Sequence, residues 1–370
     1  MDIPDLENAG AVLEPDQDYD QLKSTLGDRR DGRVYLHEPR IRTAVRVAIA
    51  ARRPLLLRGD PGSGKSSLAP YIARALHWRF YSFTVTGRTQ ARDLMWHFDA
   101  LRRLSDAQAR TSTTSAAGTA PPSPRAERLE YYVEPKALWW ALNPESAERR
   151  GFSSDYRVET NDLALDPGIG PPRDAKSLPF GHGAVVLVDE LDKADPDVPN
   201  NLLEALGSLQ FTVQETGTTV RASDAVLERQ QHAPLVIVTT NDERELPAAF
   251  QRRCVTLYLE RHAPEALVRI AARHFAVDPG RIDAAQEEQR RLAIFEFVAT
   301  ELDRLQREAV DKGRREPSTA EYLDAVQACL ALPVNPATQQ ALWEQISEMT
   351  LSKHDPFAEK RAASRGATAL

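Results

Sequence analysis

Two cysteines, Cys254 and Cys329, are all that the 370 residues contain. That is too few for a disulfide framework, and neither shows the Cys-x-x-Cys or Cys/His spacing of a zinc site. Both are expected as buried, reduced thiols. Long apolar runs are missing as well: the run from Ala184 to Val188 falls far short of the roughly 20 residues that a membrane-spanning helix needs. The opening residues MDIPDLENAG are acidic where a secretion signal would be basic and then apolar, so a cytoplasmic protein is expected. No strong excess of one charge is present. The net charge of −7 speaks weakly against nucleic-acid binding over the whole surface, although a local basic stripe fits within that sum. No internal repeat is visible.

What is present is an ordinary globular composition, 42% apolar and 27% charged, in a chain longer than one core usually serves. Two packed units are therefore expected, with some loosely ordered sequence. Residues 1–33 read as an arm and 353–370 as a tail. Strand signals (55–59, 80–86, 184–188, 235–240, 255–259) alternate with helical ones from 34 to about 260, a mixed helical stretch following the second strand through Leu104. From Pro264 the periodicity is helical only, near 264–275, 284–311, 318–331 and 338–350. This order predicts a parallel α/β domain, 34–260, followed by a small helical domain, 261–352. Asp195-Pro196 reads as a helix N-cap with proline at the first helical position, and Ser318-Thr-Ala-Glu321 as a capping box. Pro70 lies inside a helical pattern, where proline removes one backbone hydrogen bond. Residues 105–128 are rich in Ser, Thr, Ala and Pro and read as a flexible insertion. Residues 211–221 read as a hairpin turning near Gly217.

The chemistry is concentrated in four places. Gly59, Asp60, Pro61, Gly62, Ser63, Gly64, Lys65 and Ser66, followed by Ser67, fit the phosphate-loop pattern G-x-x-x-x-G-K-[ST] between an expected strand and an expected helix. Glycines let backbone N–H groups close around a phosphate, Lys65 reaches the β and γ phosphates, and Ser66 offers a hydroxyl to Mg²⁺. A chance glycine-rich turn is the competing reading. Asp189-Glu190 ends a buried strand, where Asp189 would hold Mg²⁺ through water and Glu190 would activate the attacking water; the alternative is a merely acidic helix start. Asn241 ends another apolar strand, where its amide would orient the hydrolytic water or sense the γ-phosphate, or merely cap a turn. Arg252 and Arg253 are adjacent guanidinium groups suited to a charge-stabilising role on a neighbouring subunit's nucleotide, or are solvated surface residues.

Taken together, GDPGSGKS, VVLVDE, VIVTTN and AFQRRC, with helices after them, resemble the AAA+ ATPases and, within them, the MoxR-like branch, over about residues 34–350. The branch is suggested by the insertion at about 87–140, the stretch DELDKADPDVPNNLLEAL and the hairpin at 211–221. The resemblance implies a P-loop sheet with a helical lid, an ATP hydrolase using ATP and Mg²⁺, and a homo-oligomeric ring, commonly a hexamer. Lys65, Ser66, Asp189, Glu190 and Asn241 would take the loop, metal, base and sensor roles, and Arg253 would be the arginine finger with Arg252 its neighbour. The family's sensor-two arginine has no counterpart where Ser318 stands; Arg314 or Arg315 are the substitutes. MoxR-like relatives remodel protein clients, often with a von Willebrand A-type adaptor.

Two other functions compete. A nucleic-acid motor or restriction-type subunit would need a basic stripe, for which Arg88, Arg92, Arg102 and Arg103 are candidates. A nucleotide-gated scaffold would bind ATP and turn it over slowly. Trp139 and Trp140 could grip a substrate but fit core packing better, because aromatic side chains dominate burial.

Overall fold

The computed structural model describes residues 32–36, 39–114, 128–170, 183–228, 232–277, 283–312 and 315–352. All of the expected tail, and all of the expected arm except Gly32 and Arg33, lie outside them. In chain order the elements are α1 (Pro39–Ala51), β1 (Leu55–Gly59), α2 (Lys65–Ala75), β2 (Arg79–Thr84), β3 (Trp96–Phe98), α3 (Ala100–Thr114), β4 (Val133–Pro135), α4 (Ala137–Leu142), α5 (Pro144–Glu148) and β5 (Ala184–Asp189). They continue with α6 (Asp197–Ser208), β6 (Gln210–Thr212), β7 (Thr219–Arg221), α7 (Asp224–Leu227), β8 (Leu235–Thr239), α8 (Ala248–Gln251), β9 (Val255–Leu259), α9 (Pro264–His274), α10 (Ala284–Asp311), α11 (Thr319–Ala331) and α12 (Gln340–Ser347). They form two compact units: residues 1–59 with 65–259, and residues 60–64 with 260–370.

The first unit is built on a five-stranded sheet of order β2-β5-β8-β1-β9, parallel throughout. Its central strands are apolar on both faces because both are covered. Successive residues point to opposite sides, and the core divides accordingly. Leu55, Leu57, Val185, Leu187, Leu235 and Ile237 pack with α1 and α2. Leu56, Val186, Val188, Val236 and Val238 pack with α4 and α6. Pro70 is buried and α2 runs through it.

The inserted segment is ordered where sequence periodicity was weakest. Trp96–Phe98, expected within a helical stretch, is the short strand β3 paired with β4. The expected flexible insertion is helical from 105 to Thr114, its Ala, Gln and Arg residues being adequate helix formers; residues 115–127 lie outside the described residues. The expected hairpin is β6–β7, with Gly217 at φ 72°. Phe211 lies between two tryptophans, stacked on Trp96 at 5.6 Å and edge-on to Trp139 at 5.6 Å. Trp96 Nε1 donates to Glu215 at 2.8 Å. Trp139 and Trp140 are buried, so they are core residues and not substrate grips. Helix α6 starts at Asp197 with Pro196 as its N-cap, later than the expected Asp195 cap. Asp195 Oδ1 instead accepts from the Asp197 N–H at 3.1 Å.

In the second unit α9–α12 pack around Phe295, Val298, Leu302, Tyr322, Val326 and Trp343, all buried. The Ser318/Glu321 capping box is formed. Arg261 Nε donates to Asp60 Oδ2 at 2.8 Å, and the same guanidinium bonds Glu316.

Candidate functional site

Three central strands end at the carboxyl edge of the sheet, in Gly59, Asp189 and Thr239, the edge where open parallel sheets bind ligands. After β1 the chain turns through Gly59 (φ 137°), Gly62 (φ 78°) and Gly64 (φ 86°). Glycine enters this region without steric penalty. Helix α2 then starts at Lys65, so the loop leads into the N-terminus of an eleven-residue helix, with its unpaired amides and positive end. Lys65 is 6% exposed and its Nζ donates to the Gly59 carbonyl at 2.7 Å. The Ser63 hydroxyl is buried with no hydrogen-bond partner among the described residues. A donor so placed fits a phosphate oxygen.

The next residue joins the loop helix to β5. Ser66 Oγ donates to Asp189 Oδ1 at 2.6 Å. From β8, Thr239 Oγ1 donates to the same oxygen at 2.6 Å and accepts from the Glu190 N–H at 2.8 Å. One hydroxyl thus uses both of its bonding modes to tie β8 to the end of β5. Glu190 itself is left-handed, at φ 61° and ψ 48°. A bulky residue there is uncommon, and such conformations persist where the surroundings impose them. Its Oε2 pairs with Lys193 Nζ at 2.7 Å. That hydrogen bond holds the Lys193 ammonium above its ordinary range.

Asn241 follows Thr240, whose N–H donates to the Leu57 carbonyl at 3.1 Å. The loop then turns through Asp242, left-handed at φ 58° and paired with Arg58 from β1 at 3.0 Å. Asn241 therefore lies on the same edge as Asp189 and Glu190. Arg252 and Arg253 do not. Both are exposed at the end of α8, just before β9. The register Leu55↔Val255 to Gly59↔Leu259 places them at the amino edge of the sheet. The strand rise from Val255 to Leu259 alone is roughly 13 Å at about 3.3 Å per residue, beyond the reach of an arginine side chain. Arg314 lies outside the described residues. Arg315 Nη1 pairs with Glu321 at 2.9 Å.

The donor chemistry fits a small hard cation: one hydroxyl and one carboxylate, both oxygen ligands, of the kind magnesium takes together with phosphate and water. No group of three or more His, Cys, Asp or Glu residues suited to a metal occurs among the described residues. Sequence reasoning missed Thr239, Asp192 and Lys193. The available signal was a run of polar residues, Thr239-Thr240-Asn241, closing a fully buried apolar strand as Asp189 closes β5. Of the two thiols, Cys329 is buried as expected, while Cys254 is only half-buried, because it sits at the sheet's amino edge beside the exposed arginines.

Among the described residues, no helix is long and apolar enough to cross a membrane. No curated protein matches the chain. Among solved structures it is similar to a RuvB mutant from Thermotoga maritima, at 13% identity and a TM-score of 0.34, over 80% of this chain and 69% of that one. A family model described as AAA domain (dynein-related subfamily) matches residues 54–254. That span holds the phosphate loop, the Asp189-Glu190 strand end, Asn241 and the paired arginines, and it covers more than half of the sequence: the chain belongs to the AAA ATPase domain family.

Proposed function

We propose that this protein is a magnesium-dependent ATPase of the MoxR-like type that assembles into a ring, probed first as a hexamer, and couples ATP hydrolysis to remodelling of a protein partner, working in the cytoplasm with a separate adaptor of the von Willebrand A type. The observation that carries the ATPase reading is the bond chain Ser66–Asp189–Thr239–Glu190, which ties two hydroxyls, the Asp189 carboxylate and the Glu190 backbone N–H together beside the start of α2. In this reading Gly59 to Ser67 cradle the phosphates and Lys65 neutralises the β and γ oxygens. Magnesium, when held by Ser66 and Asp189, supplies charge neutralisation at the β and γ phosphates. Glu190 accepts a proton from the attacking water, and Asn241 orients that water or reads the γ-phosphate.

The ring part of the proposal is supported by the position of Arg252 and Arg253. Arginines at the amino edge of a subunit's own sheet serve a nucleotide only if that nucleotide belongs to a neighbour, and Arg253 is assigned as the finger. The nucleic-acid motor is the weaker reading. Of its candidate arginines, Arg92 faces Glu215 at 3.8 Å and Arg102 lies over the Tyr132 ring, so they do not make an unbroken basic stripe.

The test is hydrolysis by the purified protein with and without magnesium, set beside the Glu190→Gln variant. Turnover that needs magnesium and is lost in the variant supports the reading. Failure to take up any adenine nucleotide removes it. A pull-down with Glu190→Gln held in ATP then identifies the client, and DNA binding that weakens steeply with salt would favour the motor instead.

A further inference from the structure

The turn after β5 contains one buried carboxylate that the roles above leave unused. Asp192 is 2% exposed. Its Oδ2 accepts two backbone N–H bonds from the loop after β8, from Asn241 at 3.1 Å and from Glu243 at 3.0 Å. Its Oδ1 has no hydrogen-bond partner among the described residues. An ionised acceptor binding backbone amides makes a stronger bond than a neutral one. A buried oxygen left without a donor is destabilising, and such groups call for an explanation.

We infer that Asp192 is a positioning residue for ATP hydrolysis: it clamps the Asn241 loop to the turn that carries Glu190, and so sets the spacing between the base and the sensor. The inference rests on the reading of Glu190 and Asn241 given above. Glu190 and Asp192 are separated by one residue on a tight turn, Leu191 to Lys193 being a single 3-10 turn. Asn241 and Glu243 flank the left-handed Asp242. Without the Asp192 acceptor, the part-buried Asn241 and Glu243 amides lose their partner, and the start of the loop rests on the Thr240–Leu57 bond and the half-exposed Arg58–Asp242 pair. Surface pairs of that kind hold weakly. Asn241 then no longer has a fixed position relative to Glu190, whereas Lys65 and Ser66, whose bonds run to Gly59 and Asp189, still bind nucleotide. The expected signature is a loss in kcat with binding preserved.

The experiment compares steady-state hydrolysis, binding of a fluorescent adenosine diphosphate and thermal unfolding for the full chain and for Asp192→Ala, Asp192→Asn and Glu190→Gln. Asp192→Ala is expected to lose at least about tenfold in kcat, with KM and nucleotide affinity within about threefold of the parent protein. Asp192→Asn keeps a carbonyl oxygen that can accept both amides and is expected to recover at least about a third of the parental rate. Should Asp192→Ala fail to fold, Asp192→Glu replaces it. That variant keeps the charge but displaces it by one methylene, and the same split is expected. Parental turnover in Asp192→Ala beside a silent Glu190→Gln overturns the inference alone. Parental turnover in both overturns it together with the reading of Glu190. A parallel fall in kcat, affinity and thermal stability, unrelieved by Asn, overturns it by reducing Asp192 to a scaffold residue.

Discussion

Ser66 and Asp189 stand 123 residues apart in the chain and meet at 2.6 Å, hydroxyl to carboxylate. The contact exists because α2 begins one residue before Ser66 and β5 ends at Asp189, both at the carboxyl edge of the sheet. Replacing Asp189 by Asn preserves shape but removes the charge. Magnesium-dependent ATP affinity is expected to fall by at least about tenfold, since even groups behind the ligands are worth about 10–100-fold. A magnesium titration of nucleotide binding measures this, and an unchanged midpoint would remove Asp189 from the metal site.

Glu190→Gln tests the base. Proton transfer by a positioned side chain contributes about 10²–10⁴-fold, so turnover should drop by at least two orders of magnitude, roughly, while ATP stays bound. Single-turnover kinetics separates the two, and equal rates would exclude Glu190 from the chemical step.

For the arginines the expectation concerns mixtures. Neither Arg253→Ala nor Lys65→Ala should hydrolyse ATP alone. Mixed at varied ratios they should regain activity, because some sites combine an intact loop with a neighbour's intact Arg253. No recovery at any ratio argues against action between subunits. The same series with Arg252→Ala decides between the two residues.

Thr239→Val keeps the shape of β8 but deletes a hydroxyl that bonds both Asp189 and the Glu190 amide. The Glu190 N–H then loses its acceptor and Asp189 Oδ1 loses a donor, at about 1–3 kcal/mol, to be read from the midpoint of a urea unfolding curve. A loss below a few tenths would mean that water replaces the hydroxyl.

Burial pushes the Cys254 thiol up to about 12 and the Cys329 thiol to about 11. Both folded values exceed the unfolded one, so the protonated form is favoured in the fold. Their contribution is fully present below the ordinary thiol range and is lost as pH rises toward 11 and then 12. At pH 8 iodoacetamide should label the native protein far more slowly than the urea-unfolded chain, and equal labelling would show that the thiols are open to solvent.

The residues of the site were legible because each carries chemistry at a strand end: a glycine loop, paired carboxylates and an amide after apolar runs. The couplings between them were not. Asp192 reaches Asn241 across 49 positions and Thr239 reaches Asp189 across 50, and local pattern has no access to contacts at that separation. The left-handed turn at Glu190 has no glycine or asparagine to announce it. For the same reason β3 carries no strand signal of its own: three residues complete no period, and only pairing with β4 makes Trp96–Phe98 a strand. That α3 runs on to Thr114 is not legible either, because composition alone does not mark where ordering stops. The four helices of the second unit were legible because their apolar stripes run for eight residues or more.

The hairpin β6–β7 is only three residues long on each side, yet it is gripped by two indole rings around Phe211 and by the Trp96–Glu215 bond. Through Trp139 the aromatic wedge roots this hairpin in α4, which packs on the strand that ends at Asp189. Its base is set in the core and does not depend on its own short ladder.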